Sequence, residues 1–399
     1  MKSCQLKFLA DMRSGDFIDS SDILQEGPYP VYGGNGLRGF AVRKTHSVTA
    51  PLIGRQGALC GNINYASGDF YATEHAIVAA PRSQVHPRWL YWQLSNLNLN
   101  QYSMAAAQPG LAVEVLERVC AVKPHYSEQE RIANFLDDKT ARIDALIAEK
   151  ERLVLAVREY FTARLGTAVV QGIRAERKLV EAHAKGFEAI PADWSLTPIK
   201  HLASASGGMT PSKDNDDFWQ GDIPWVSPKD MKRFVLHDSV DHISQLALDS
   251  TSLKRQPVES VLVVVRGMIL AHTFPVAINA VPVTINQDMK ALHVKGRVSA
   301  RYLAWMLRGL QPLMLALTEE SAHGTKALRT DQWANQCVPV PPKDEQIELV
   351  QSFERWQSES EKLSAHLEQH IARLREYRSS LISAAVTGQL DIRTFKEAV

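Results

Sequence analysis

Two short patterns in this chain carry the residue types and spacing of known chemistry, and both lack the surroundings that chemistry needs. Gly34-x-Gly36-x-x-Gly39 matches the dinucleotide-binding fingerprint, in which glycines let the backbone approach a pyrophosphate held on a helix N-terminus. Here Phe40-Ala41-Val42 and then Pro51 read as strand and turn, and no acidic residue stands between Asn35 and Gly68 to take a ribose hydroxyl. A glycine-rich hairpin turn is the expectation. His366-Leu367-Glu368-Gln369-His370 sets two imidazoles four apart on a helix. Zinc there would need a third ligand, and usually a glutamate directly after the first histidine, so no metal site is assigned. The sequence contains neither a phosphate-binding loop ending in Gly-Lys-Ser/Thr nor an Asn-Pro-Pro-aromatic adenine-methylation motif. No catalytic residue is assigned, which favours a binding subunit over an enzyme.

The elements that would position any site are written twice. Cys120-Ala121-Val122-Lys123-Pro124 through Glu128-Gln129 recurs as Cys337-Val338-Pro339-Val340-Pro341 through Glu345-Gln346, and the same offset pairs Arg158-Glu159-Tyr160 with Arg375-Glu376-Tyr377 and Leu111 with Leu328. Upstream, Arg88-Trp89-Leu90-Tyr91-Trp92 matches Arg301-Tyr302-Leu303-Ala304-Trp305, and Leu6-Lys7-Phe8-Leu9-Ala10 matches Ile199-Lys200-His201-Leu202-Ala203. Two copies are too few for a solenoid, so a pseudo-two-fold repeat of globular unit and long helix is expected. Ser127-Glu128-Gln129-Glu130 has the form of a capping box and Asp344 is the matching cap in the second copy. Behind the caps, Leu136, Ile143, Ile147, Val154, Val157 and Phe161 in the first helix, and Phe353, Leu367, Ile371, Leu374 and Leu381 in the second, follow the four-and-three spacing of a coiled-coil seam. Thr140, Lys150 and Arg164 interrupt the first. The alternative is two amphipathic helices, each lying on its own unit. Gly172 and Gly388 suit left-handed helix ends, and Ile173 to Lys185 reads as a charged linker before Ile190-Pro191-Ala192-Asp193-Trp194.

Composition sets wide bounds. With 399 residues, 45% hydrophobic and 22% charged, the chain reads as a globular protein of two or three domains. Apolar runs such as Val261 to Val265 fall far short of the roughly 20 residues that cross a bilayer, and no signal-peptide core follows Met1, so a cytoplasmic protein without a membrane partner is expected. Cys4, Cys60, Cys120 and Cys337 are scattered and read as small buried residues. A formal net charge of +1 is neutral on nucleic acid, because local basic loops can sit on a globally balanced chain.

Taken in order, Pro30-Val31-Tyr32-Gly33-Gly34-Asn35-Gly36-Leu37-Arg38-Gly39-Phe40, Leu52-Ile53-Gly54-Arg55-Gln56-Gly57, the Ile190-to-Trp194 opening and the two Glu-Gln-plus-helix segments resemble type I restriction-modification specificity subunits over nearly the whole chain. The resemblance implies two target recognition domains, each reading one part of a split double-stranded DNA sequence, with two antiparallel helices setting their distance. It further implies assembly with two modification (methyltransferase) subunits and with restriction (translocase and nuclease) subunits. S-adenosylmethionine, ATP and magnesium would belong to those partners, and no cofactor to this chain. One departure stands out: the first unit lacks the Ile-Pro-x-x-Trp opening of the second.

For DNA, the informative side chains are Arg, Lys, Asn and Gln, which make paired hydrogen bonds to base edges or single ones to phosphate. In the first unit they gather at Asn35, Arg38, Arg43, Lys44, Arg55, Gln56, Asn62 and Asn64, beside Tyr32 and Tyr65. The second offers Lys213, Lys229, Lys232, Arg233, Arg266, Asn286, Gln287 and Lys290, with Trp219 and Trp225. Arg55-x-Gly57 and Arg266-Gly267 both follow apolar strands and are read as a matched pair.

The expected architecture is α+β: a first recognition domain at residues 1–125, a spacer helix at 126–172, a linker at 173–185, a second recognition domain at 186–342, a second spacer helix at 343–388 and a tail at 389–399. The rival readings are a duplicated coiled-coil scaffold that binds proteins without DNA specificity, and a self-contained nuclease or methyltransferase.

Overall fold

The computed structural model describes residues 2–57, 59–103, 110–320 and 325–395. The chain is α+β and divides into two compact units, Met1–Arg152 with Leu367–Val399, and Leu153–His366. Each unit takes about half of each of the two long helices, Tyr126–Gln171 of 46 residues and Lys343–Thr387 of 45.

In the first unit Lys2–Gln5 pairs antiparallel with Cys120–Lys123, tying the start of the unit to the strand that feeds the long helix. A four-stranded antiparallel sheet has the order Ala10–Ser14, Ala76–Pro81, Ala50–Gly54, Ile63–Ala66. Ala50–Gly54 is buried at all five positions because it has a strand on each side and the helix Pro87–Asn96 against it. A second sheet has the order Gly36–Ala41, Tyr29–Gly33, Asp69–Ala72, His46–Ser47, with its central pair parallel. The second unit repeats this plan. Ser195–Pro198 pairs with Cys337–Val340, and a five-stranded sheet runs Ala203–Gly207, Met289–Val294, Val261–Val264, Val276–Asn279, Val235–Leu236. The smaller sheet runs Asp241–Ile243, Ile223–Val226, Thr284–Ile285, again with a parallel pair. Val261–Val264, an unbroken run of β-branched and leucine residues, is buried throughout, as a central strand with both faces covered must be.

One short helix in each unit lies on the larger sheet, and in both an apolar stripe follows a cap. His86 accepts from Trp89 N at 3.4 Å with Pro87 at the first helical position, and Ser299 accepts from Tyr302 N at 3.1 Å. Trp89 and Leu90, Tyr302 and Trp305 are among the most buried side chains. The caps of the long helices differ from the expectation. Ser127 and Asp344 lie inside the first turn rather than before it, because the helices begin at Tyr126 and Lys343. The amide of the next residue but one explains it. Gln129 donates to Pro124 O at 2.9 Å and accepts from His86 N at 2.8 Å; Gln346 donates to Pro341 O at 3.1 Å and accepts from Ser299 N at 3.1 Å. Each buried glutamine thus satisfies the carbonyl of the incoming chain and an N–H at the start of the short helix. Both long helices end at glycine in the left-handed region, Gly172 with φ +77° and Gly388 with φ +75°.

Of the seam residues, Leu136, Ile143, Ile147, Val154, Phe353, Leu367, Ile371 and Leu381 are buried, and Val157, Phe161 and Leu374 partly so. Within the first unit Arg378 Nε donates to Asp144 at 2.8 Å and Arg375 to Glu151 at 2.7 Å, an antiparallel pairing of the two helices. Within the second, the Arg164 guanidinium lies 3.7 Å from the Trp356 ring centre, so this interruption of the apolar pattern still packs.

Three expectations need correction. The stretch 173–185 is not a plain linker: Leu179–Ala184 forms a hairpin with Phe187–Pro191. Residues 391–395 of the tail are held, with Arg393 on Glu128 at 3.1 Å and Phe395 edge-on to Phe135 at 5.3 Å, while 396–399 lie outside the described residues. Cys120 is exposed on an edge strand, whereas Cys60 is buried and Cys4 and Cys337 are intermediate. Gly34-Asn35 is a hairpin turn between Tyr29–Gly33 and Gly36–Ala41. Gly36, at φ +99°, holds a conformation that side chains rarely adopt. Among the described residues no cluster of three or more His, Cys, Asp or Glu could hold a metal, and no helix is long and apolar enough to cross a membrane.

Candidate nucleic-acid interface

In the first unit, packing of two turns against each other gathers a set of amides. A Cβ on Gly34 would come within 3.0 Å of His75 O, and one on Gly54 within 2.4 Å of Gly34 O, so only glycine lets the hairpin turn approach the end of strand Ala50–Gly54. Asn62 Nδ2 donates to Asn35 Oδ1 at 3.2 Å. Asn64 Oδ1 stands 2.9 Å from where a Gly36 Cβ would be, and Asn64 Nδ2 is buried without a protein acceptor. Gln56 Oε1 meets His75 Nδ1 at 3.0 Å, and Arg38 packs on Gly33. Asn35, Arg38, Gln56, Asn62 and Asn64 therefore share one rim. Tyr32, Arg43 and Lys44 are held elsewhere: Tyr32 edge-on to Phe70 at 5.8 Å, Arg43 over Tyr71 at 5.5 Å, and Lys44 on Asp69 at 2.9 Å. The Lys44 ammonium holds the Asp69 carboxyl below the usual carboxylate range. Tyr65 lies edge-on to Tyr91 at 5.8 Å and under Arg88, inside the frame.

In the second unit Arg266 Nε donates to Asp288 Oδ1 at 2.6 Å, and Asn286 Nδ2 reaches the other oxygen of that carboxylate at 3.4 Å. Gln287 accepts from Thr210, and Lys290 Nζ stands 3.1 Å from the Cβ position of Gly207. Arg266, Asn286, Gln287 and Lys290 thus form the corresponding rim. Asn286 is itself buried and serves to orient Asp288. Trp225 does not face solvent: it is 6% exposed in the core with Ile223, Ile243 and Leu253, and its indole N–H is satisfied by Met209 O at 3.0 Å. Its apolar bulk outweighed the polar tip that suggested a stacking role. Trp219, edge-on to it at 5.1 Å, donates to Ser212 O. Lys229 is paired with Asp241 at 2.6 Å. Lys213, Lys232 and Arg233 are exposed and make no ion pair among the described residues. Near the last two, Arg308 is surrounded by Phe161, Phe234 and Trp305, and burial pushes its guanidinium below the ordinary arginine value.

The hydrogen bonds revise the matched pair. Leu111 N donates to Arg55 O at 2.9 Å, and Leu328 N donates to Val265 O at 2.8 Å. Arg55 N donates to His75 O, and Val265 N to Asp288 O, both at 2.8 Å. Gln56 bridges to Gly110 as Arg266 does to Ala327. The counterpart of Arg266 is therefore Gln56, and that of Arg55 is Val265. Arg55 is half-buried; counting residues back from the glycine alone, with one intervening residue in the first copy and none in the second, had concealed the shift.

The frame contains partners that the residue types alone did not single out. Arg88 Nε donates to Asp137 at 2.8 Å and Arg301 to Glu354 at 2.5 Å, each fixing the short helix to the long one. Glu345, fully buried, accepts from Arg177 and from Trp194 Nε1 at 2.9 Å, and Arg177 also holds Asp193 at 2.6 Å, keeping that carboxyl below its usual range. The duplicated Arg88/Arg301 and Glu-Gln positions were the signal for them.

The model of the type I restriction modification DNA specificity domain matches residues 1–155 and 191–372. The type I restriction enzyme EcoprrI specificity subunit of Escherichia coli is 43% identical over 130 residues, 32% of each chain. The EcoR124I/EcoR124II specificity subunit of Escherichia coli is 32% identical over 186 residues, 46% of each. The matched stretch thus spans 32% to 46% of the length of these curated relatives. A solved chain from a type I R-M system, 16% identical, superposes with a TM-score of 0.72 over 98% of each chain, a likeness of fold. Twofold coverage by one family model, on the fold just described, makes this chain a member of the type I restriction modification DNA specificity domain family.

Proposed function

We propose that this chain is the DNA-specificity subunit of a type I restriction-modification complex and carries no catalytic site of its own. Each unit reads one half of a bipartite double-stranded target. The observation that carries the reading is that both units of a chain in this family bring polar side chains to the same place, the turn after the central buried strand, on the same frame. Amides and guanidinium groups fixed by neighbours yet open to solvent suit base edges, and the unpaired Lys213, Lys232 and Arg233 suit phosphate.

In this reading residues 1–125 and 186–342 are the recognition domains and 173–185 joins the halves. Helices 126–172 and 343–388 form an antiparallel coiled coil within a pseudo-two-fold repeat, and the tail at 389–399 begins with residues that lie against the first half, through Arg393 and Phe395. The helices set the spacing between half-sites and dock two modification subunits. Those subunits supply S-adenosylmethionine-dependent adenine methylation, and restriction subunits supply ATP- and magnesium-dependent translocation and cleavage, all in the cytoplasm. Reconstitution with the modification subunits tests it. The complex should methylate adenines in one split sequence and bind random duplex with an affinity that falls steeply with salt, as phosphate contacts release counterions. Absence of both, with the complex assembled, would favour a protein-binding scaffold; methylation or cleavage by the isolated chain would make it an enzyme.

A further inference from the structure

The shift of one residue in the matched turns has a chemical consequence. Gln56 and Arg266 occupy the same position, and each is steered by the side chain at one further shared position, His75 and Asp288. Two different pairs therefore do one job. Gln56 Oε1 can only accept, so His75 Nδ1 donates to it and fixes the amide plane, leaving the amide N–H groups and one oxygen lone pair unengaged among the described residues. Asp288 takes Nε–H of Arg266 and leaves both terminal nitrogens unengaged among the described residues, while the side chain stays 53% exposed. Among the described residues the turn itself is open: a Cβ on Gly57 would meet nothing within 4 Å, and one on Gly267 only Ile269 at 3.8 Å, which suits the close approach of a large ligand to the backbone.

An amide with a free donor and acceptor matches the N7 and N6 edge of adenine, and a guanidinium with two free nitrogens matches the O6 and N7 edge of guanine. Resting on the proposed DNA-reading function, we infer that Gln56 and Arg266 are the same purine-reading position of the two units: Gln56 takes an adenine in one half-site, Arg266 a guanine in the other, and His75 and Asp288 are their positioning residues.

The test uses the assembled complex with its modification subunits. First the methylated motif of the wild-type complex is mapped; if no bipartite motif appears, the proposed function falls, independently of this inference. With the motif known, 7-deazapurines placed singly in the target remove N7 without touching the protein. Binding should weaken roughly 5- to 150-fold at one adenine of one half-site and one guanine of the other. Gln56→Arg combined with His75→Asp should then turn the preference for that adenine into one for guanine, and Arg266→Gln with Asp288→His should do the reverse in the other half. Arg266→Lys, which keeps charge but not the paired geometry, should lose the preference rather than change it. The inference is overturned if no single deazapurine weakens binding, or if the variants retain the wild-type motif while losing affinity equally for all sequences, the behaviour of phosphate contacts. Variants that fail to fold leave the deazapurine result to decide.

Discussion

The corner where each long helix begins is built in two ways. In the second unit Glu345 is fully buried and bonded to Arg177 and Trp194, with the Arg177 side chain only 12% exposed. In the first unit Glu128, at the matching place, is 21% exposed and pairs with Arg131 and Arg393, both about half exposed or more. The first unit has no Ile-Pro-x-x-Trp opening, and its corner is covered instead by the end of the chain, through Arg393 and through Phe395 on Phe135. Burial is what separates the two: one carboxylate is locked into a desolvated network and the other sits in a screened surface pair, so the same residue in the same motif should differ several-fold in importance.

Glu345→Ala should break that comparison open with the largest effect. Leaving Arg177 with only the exposed Asp193, and Trp194 Nε1 without its acceptor, should cost about 3 kcal/mol in denaturant unfolding, the low end for a broken buried pair, whereas Glu128→Ala should cost about 0–1 kcal/mol. Equal losses would mean that the two corners are alike in solution. Where the units agree, the effects should agree: Gln129→Ala and Gln346→Ala each strand an N–H and two carbonyls, and each should cost about 1–3 kcal/mol by the same unfolding measurement. Arg164→Ala, which removes the stacking on Trp356, should cost about 0.5–2 kcal/mol beyond lost packing. The smallest effect concerns acid. Asp193, held low by Arg177, adds stability that is complete above the ordinary aspartate pKa and is lost as pH falls through its lowered value. Asp193→Asn should therefore flatten the acid limb of a stability–pH curve by lowering stability slightly at neutral pH while leaving the acid end unchanged.

Much of the frame was legible because repetition and periodicity are properties of sequence. The buried positions of the long helices, the glycine ends and the hairpin at Gly34-Asn35 follow from spacing and backbone chemistry alone. The site was less so. Trp225 and Lys229 have the right side-chain types for DNA, but a core position and an acidic neighbour engage them, and sequence distance does not disclose such partners. The match of Gln56 to Arg266 was hidden because strands align through hydrogen-bond register, which a one-residue difference in a turn shifts without trace in the motif. The caps were misplaced for a related reason: a glutamine side chain from inside the first turn, not a cap before it, satisfies the incoming chain.

The central claim, two readers held at a distance set by the helices, is tested most directly by lengthening both helices together. Seven residues inserted after Ala148 and seven after Glu376 add about 10 Å to each helix and keep the seam in phase, with a net rotation of roughly 20°. At about 3.4 Å per base-pair step this corresponds to about three base pairs. With the modification subunits present, mapped methylation should show both half-site sequences unchanged and the unspecified gap between them longer by about three. Full-rate methylation at the original gap would contradict the account.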